Sequence, residues 1–179
     1  MLETMRHSAA HLMAAAVQDL YPDAKFGVGP PIDYGFYYDI ELPVTLTPDD
    51  LKKIEKRMLE LKKKGLGYER IEVPIDEAIE IMRDKKQDYK VELLNLLKER
   101  GSTAVLKETG DANVADSDDA EGASHVSLYK TGEFLDLCRG PHVESTKEIG
   151  VFKLMRIAGA YWRGNEKNPQ LQRLYGVAF

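Results

Sequence analysis

The sequence predicts an α+β fold, an antiparallel sheet flanked by helices with a cleft between them, and three observations carry that prediction. Segments with apolar residues at helical spacing are interspersed with short runs of strand-like alternation, in no regular strand–helix–strand order. Glycine and proline cluster between the strand-like runs, where turns join antiparallel strands. The 179 residues are 43% hydrophobic and 31% charged, enough apolar content for one buried core. The chain therefore reads as a single domain over 1–179, without an internal repeat.

The elements follow in order. Residues 4–20 read as a helix capped by Thr4, with Ala9, Leu12, Met13, Ala16, Val17 and Leu20 as its apolar stripe; Tyr21-Pro22 ends it. Residues 25–40, rich in glycine, proline and aromatics, suggest short strands around a tight turn. Thr47-Pro48-Asp49-Asp50 opens a second helix, with a cap, a proline at the first turn and acids on the positive end of the dipole. Leu51, Ile54, Met58 and Leu61 give its buried face, and Lys62 to Lys64 its last turn. Residues 68–73 alternate as a strand. Asp76 is placed to cap a short helix over 77–83, and Asp88 or Tyr89 opens another through Arg100. Residues 102–124, poor in large apolar side chains, read as a mobile or inserted loop. Residues 125–130, 151–162 and 171–179 look like strands, with Gly164-Asn165 marking a turn.

Composition excludes several classes. No apolar run reaches the roughly 18 residues of a membrane span, and Glu3, His7 and His11 spoil any secretory leader. One cysteine permits no internal disulfide and fits a reducing, cytoplasmic setting. A net charge of −5 argues against a protein that coats nucleic acid by charge alone. The charge is uneven, however. From Arg100 to Asp136 there are eight acids and three bases, whereas from Arg139 to Phe179 there are seven bases and three acids. That basic C-terminal stretch can meet a phosphate backbone or form a solvated face.

The chemistry concentrates in two pairs of equal spacing, His7-x3-His11 and Cys138-x3-His142. Residues four apart share one face of a helix, so His7 and His11 can address a common atom. The second pair lies in Asp136-Leu137-Cys138-Arg139-Gly140-Pro141-His142, where glycine and proline can bring a sulfur and an imidazole together. Three imidazoles and a thiolate form a plausible tetrahedral zinc set. The same four groups can also serve without metal as acid, base and hydrogen-bond donor, and both readings stand. Ser8 occupies the position of the glutamate that a zincin protease requires, and no Gly-x-Ser-x-Gly elbow, P-loop or dinucleotide fingerprint occurs. A nucleophilic Cys138/His142 pair remains an alternative.

Further residues carry a family resemblance. Arg6-His7-Ser8-Ala9-Ala10-His11-Leu12, Gly29-Pro30-Pro31-Ile32-Asp33-Tyr34-Gly35-Phe36-Tyr37-Tyr38-Asp39 and Cys138-Arg139-Gly140-Pro141-His142 resemble the editing domain of bacterial threonyl-tRNA synthetases. Phe152-Lys153-Leu154-Met155, Ala158-Gly159-Ala160-Tyr161-Trp162-Arg163-Gly164 and Leu171-Gln172-Arg173-Leu174-Tyr175-Gly176 extend the resemblance in the same order across nearly the whole chain. The His-x3-His and Cys-x3-His pattern is also similar to that of alanyl-tRNA editing proteins, which hold zinc with it. The resemblance implies the editing-domain fold those proteins share, and hydrolysis of seryl-tRNA carrying threonine identity. The partner it implies is the 3′ acceptor end of threonine tRNA. It further implies that the chain is a fragment of a homodimeric, ATP-dependent threonine–tRNA ligase, with Met1 at a domain boundary.

In that reading His7, His11, Cys138 and His142 hold the reacting water, with zinc as an open option. Asp136 orients or deprotonates the water and Lys90 stabilises the oxyanion. Tyr34, Tyr37 and Tyr38 stack on or flank the terminal adenine, or pack in the core. Arg139, Lys153, Arg156 and Arg163 meet phosphate. A free-standing deacylase acting in trans and a non-catalytic zinc-stabilised binding module are the competing classes.

Overall fold

A computed structural model describes residues 1–114 and 124–179. In chain order the elements are α1 (Leu2–Leu20), β1 (Lys25–Phe26), β2 (Pro31–Ile32), β3 (Gly35–Glu41), α2 (Pro48–Lys64) and β4 (Glu69–Pro74). They continue with α3 (Ile75–Asp84), α4 (Asp88–Thr109), β5 (His125–Thr131), β6 (Phe134–Leu137), β7 (Phe152–Tyr161) and β8 (Gln170–Ala178). The expected α+β class holds, with one difference: the strands form two sheets. One runs β1-β3-β8-β7 with β2 paired to β3, and the other runs β4-β5-β6. Every pairing among these strands is antiparallel.

Helix α1 joins the two sheets. It touches β2, β3 and β8 of the first, β5 and β6 of the second, and α2 beside them. Every residue from His7 to Val17 is buried, so the expected one-sided stripe is instead an apolar helix closed in all round. Five alanines in that stretch let neighbours approach closely, and Phe36, Tyr38 and Ile40 on alternate positions of β3 pack into the same core. Leu20, assigned to the stripe, is 41% exposed. Nor does Thr4 cap the helix. The helix begins at Leu2, and its N-cap, Met1, makes no side-chain bond. Likewise α3 starts one residue before Asp76, which lies in the first turn and favours the helix dipole rather than capping it.

The second helix matches its sequence signals. Thr47 and Asp50 form a reciprocal capping box, and Gly65 ends the helix in the left-handed conformation, with φ of 67°. The largest correction concerns the segment after Arg100. The helix does not end there, but breaks at Gly101 and continues to Thr109. Gly101 has φ of 79° and ψ of −179°, a conformation that excludes a side chain. Val105 and Val114 then bury themselves in the core formed by α3, α4, β4 and β5. Residues 102–109 are thus helix rather than loop, residues 110–114 form turns that bury Asp111 and Val114, and residues 115–123 lie outside the described part.

Two outcomes are expected in denaturant unfolding. Leu12→Ala, at a fully buried position on α1, should cost roughly 2–5 kcal/mol. Gly101→Ala should cost about 1–3 kcal/mol through backbone strain alone. Val44→Ala, at a half-exposed residue, serves as the control and should stay within about 0.5 kcal/mol.

Candidate active site

Strand β6 and helix α1 bring the site together. Alternation along β6 places Phe134 and Asp136 on one face, and Cys138, just past the strand, follows on it. That face meets α1, where the Phe134 ring lies 5.9 Å from the His11 ring. Cys138 is held by its backbone: its N–H donates to Ser127 O, and its carbonyl accepts from the Ser127 hydroxyl at 2.8 Å. Gly140 then turns the chain with φ of 79°, so close to Tyr129 that an added Cβ would stand 2.4 Å from the phenol oxygen. His142 returns to the cluster beyond it.

The four residues of the paired spacings converge. One donor atom from each of His7, His11, Cys138 and His142 lies within 4.8 Å of the others. Cys138 Sγ is 3.5 Å from His7 Nε2 and 3.4 Å from His142 Nε2, and the Gly140 N–H donates to the sulfur at 3.2 Å. His11 is oriented from behind, its Nε2 3.3 Å from Asp136 Oδ2. With that nitrogen facing a carboxylate, His11 Nδ1 is buried without a hydrogen-bond partner.

Asp136 is the centre of a second layer. Its Oδ2 accepts from the Tyr38 hydroxyl at 2.6 Å, and the Lys90 ammonium lies 2.7 Å from Oδ1. The ammonium meets Oδ1 as an ion pair rather than as an aligned hydrogen bond. Lys90 also donates to Gly27 O at 2.6 Å and to the Tyr38 hydroxyl at 3.0 Å. Two hydrogen bonds and one ion pair therefore engage the ammonium in the interior, and Lys90 is 2% exposed. In this arrangement Lys90 balances the charge of Asp136. Tyr38, whose ring is 1% exposed, takes the core-packing alternative left open for the three tyrosines.

Burial sets the protonation of the cluster. Desolvation lowers His7 to about 4, against the opposing pull of Asp136. Desolvation also lowers His11 and His142, assisted by the neighbouring imidazoles. It raises the Cys138 thiol well above its ordinary value, and Asp136 adds to that rise. At neutral pH the three imidazoles are neutral and the sulfur is a thiol. That favours lone-pair donation by histidine and argues against Cys138 as a nucleophile. The donor set also fits zinc. Its atom types suit the ion, one buried nitrogen is orphaned, and the tetrahedral edges of about 3.3–3.6 Å need only a modest contraction of the cluster.

A cleft of about 520 Å³ leads to this cluster, lined by Glu3, Thr4 and His7 of α1 with Pro31, Asn113, Tyr129, Arg139, Gly140 and Pro141. Of the four cluster residues only His7 lines it. Arg139 stands at its edge, tied through its N–H to Asn113 O at 2.9 Å. The other sequence candidates do not line this cleft. Tyr34, 67% exposed, caps the β2–β3 turn, and Tyr37 packs between Arg173 and Tyr175 on the outer face of β3. Lys153 and Arg156 are exposed on β7, with Arg156 over the Tyr175 ring. Arg163 is held by Glu92 at 2.7 Å and Glu108 at 3.1 Å, which neutralise its charge locally.

Sequence reasoning missed Ser8, Tyr68, Tyr129 and Asn113. Tyr68 stacks on His142 at 5.0 Å and 16°. A single aromatic before a strand carries no signal for such a role.

Residues 126–175 match the model for the threonyl and alanyl tRNA synthetase second additional domain. The chain belongs to that family, on its threonyl side. It is 51% identical over 178 residues to the threonine–tRNA ligase of Dehalococcoides mccartyi, covering 99% of the chain and 26% of that protein. It is 49% identical to the Clostridium acetobutylicum enzyme over 98% of the chain, and 48% identical to that of Thermobifida fusca over 98%. The chain spans about a quarter of the length of these relatives, 24% to 26%.

Lys90→Met removes the counter-charge of Asp136 and should cost roughly 3–5 kcal/mol in denaturant unfolding. Adding Asp136→Leu to that variant should return part of the loss, a coupling that a double-mutant cycle measures.

Proposed function

We propose that the chain is the proofreading domain of a threonine–tRNA ligase and hydrolyses the ester that links serine to threonine tRNA. The observation that carries this reading is the position of His7. It is a neutral imidazole at the inner end of an open cleft, backed by a buried His/Cys cluster. The family supplies the class of substrate, and the site supplies groups suited to ester hydrolysis.

The need for such a site follows from size. Serine lacks one methyl group of threonine, a difference worth roughly 1–3 kcal/mol, so a synthesis pocket alone discriminates only about 10–200-fold. A second site that hydrolyses the smaller acyl group removes the error. In this reading the acylated 3′ end enters the cleft with Arg139 near its phosphate, and Tyr34 offers an exposed aromatic face. Lys153 and Arg156 extend the basic surface for the acceptor stem. His7 Nε2, unprotonated, accepts a proton from water as the water oxygen adds to the seryl carbonyl. The carbon–oxygen bond to the ribose then breaks, and the ribose oxygen takes up a proton to give free serine and tRNA. Asp136 acts at one remove, holding His11 in place. Zinc, when bound by His7, His11, Cys138 and His142, would occupy the lone pair of His7 and serve as a closed structural centre rather than take part in this proton transfer.

Incubation with threonine tRNA carrying serine or threonine tests the reading. Serine should be released rapidly and threonine slowly; equal inertness to both would exclude the catalytic claim. His7→Ala should lower kcat at least about 100-fold, within the range for a general base, and Arg139→Ala should act mainly on KM. Zinc added to chelator-treated protein should bind once per chain and raise the melting temperature, a stabilisation of about 2.7 kcal/mol at 100 times its Kd. His11→Ala should abolish that shift.

A further inference from the structure

Ser8 follows His7 on α1 and is fully buried, about 100° around the helix from it. Its hydroxyl oxygen stands 3.0 Å from His142 Nδ1 and 2.9 Å from Thr4 O, and it accepts from the Val143 N–H at 3.0 Å. The three partners differ in what they can do. The Thr4 carbonyl only accepts and the Val143 amide only donates, whereas an imidazole nitrogen can do either, depending on the tautomer. A serine hydroxyl has one proton. If that proton goes to Thr4, the remaining lone pair of Ser8 requires a proton on His142 Nδ1. His142 Nε2 then turns an unprotonated lone pair toward Cys138 Sγ, 3.4 Å away.

We propose that Ser8 is a positioning residue that locks His142 in the Nδ1–H tautomer, so that Nε2 presents its lone pair to the centre of the cluster. The surroundings hold the ring in the plane that this needs. Tyr68 stacks on His142 with 16° between the planes, and its hydroxyl donates to the Ser8 carbonyl at 2.7 Å. Tyr129 closes the ring from an edge-on position at 4.5 Å. Position 8 therefore serves two ends of the chain at once, seating the Val143 amide and choosing which nitrogen of His142 faces inward. The lock is useful with either chemistry of the cluster, because a metal ligand and an acceptor for the Cys138 thiol proton both need an unprotonated Nε2.

The kinetic consequence rests on the proposed hydrolysis, but the tautomer does not, and the test separates them. Long-range 1H–15N correlation on the nitrogen-labelled, metal-free chain, assigned against His142→Gln, reads which nitrogen carries the proton. Protonated Nδ1 and bare Nε2 are expected; a proton on Nε2 in the wild type would overturn the proposal. In Ser8→Ala the Nδ1–H population should fall. The kcat for seryl-tRNA should fall about 10–100-fold with KM little changed, the range seen when a group orienting a site histidine is lost. An unchanged tautomer in folded Ser8→Ala also overturns it. Should that variant not fold, the wild-type spectrum decides alone. Inertness of the wild type toward seryl-tRNA would count against the hydrolytic reading only.

Discussion

One buried carboxylate constrains the rest of the structure. Asp136 is 2% exposed and carries a negative charge into the interior, where an unpaired charge would be far too costly to keep. It is balanced by groups from three different elements: the Lys90 ammonium of α4, the Tyr38 hydroxyl of β3 and the His11 ring of α1. Each group has to arrive at the same point for the charge to be tolerated, so the packing of four elements is tied to a single position on β6. The arrangement also explains why α1 is enclosed on every side. A helix that delivers imidazoles both to the cluster and to the carboxylate behind it cannot lie on the surface.

Burial acts on the cluster in two directions. It strips protons from the histidines, leaving neutral rings that can accept a proton or bind a cation, and it keeps the proton on Cys138. The same low polarity that makes the histidines suitable donors therefore makes the sulfur a poor attacking group. A site built in this way depends on an entering water or ion for its chemistry. The opening beside His7, rather than the sulfur, is where a reacting molecule can arrive.

Much of this was legible in the sequence, and the gaps have physical reasons. The paired spacings identified His7, His11, Cys138 and His142 because four-residue steps have a direct meaning on a helix and in a tight turn. The Thr47 capping box was equally readable, being local. Lys90 and Asp136 were found, but not their relation to each other: a contact between residues 46 positions apart leaves no periodic trace. Ser8 was read only as a missing glutamate, because a hydroxyl's importance depends on what faces it. Tyr38 was grouped with Tyr34 and Tyr37, although alternation along β3 sends it inward while Tyr37 points out. The extension of α4 past Gly101 was missed because glycine commonly ends helices. Two valines, Val105 and Val114, were too few to announce a buried segment.

The turn that follows α4 places one wall of the cleft on a part of the chain that contributes nothing to the cluster. Asn113 lines the opening and braces Arg139 through one backbone bond, while the reacting groups come from α1 and from the segment that follows β6. The opening is thus shared between the segments that carry the cluster and one that does not. A change at Asn113 therefore alters one wall of the cleft without displacing a member of the cluster. That one wall can change shape while the four donor atoms behind it stay where they are.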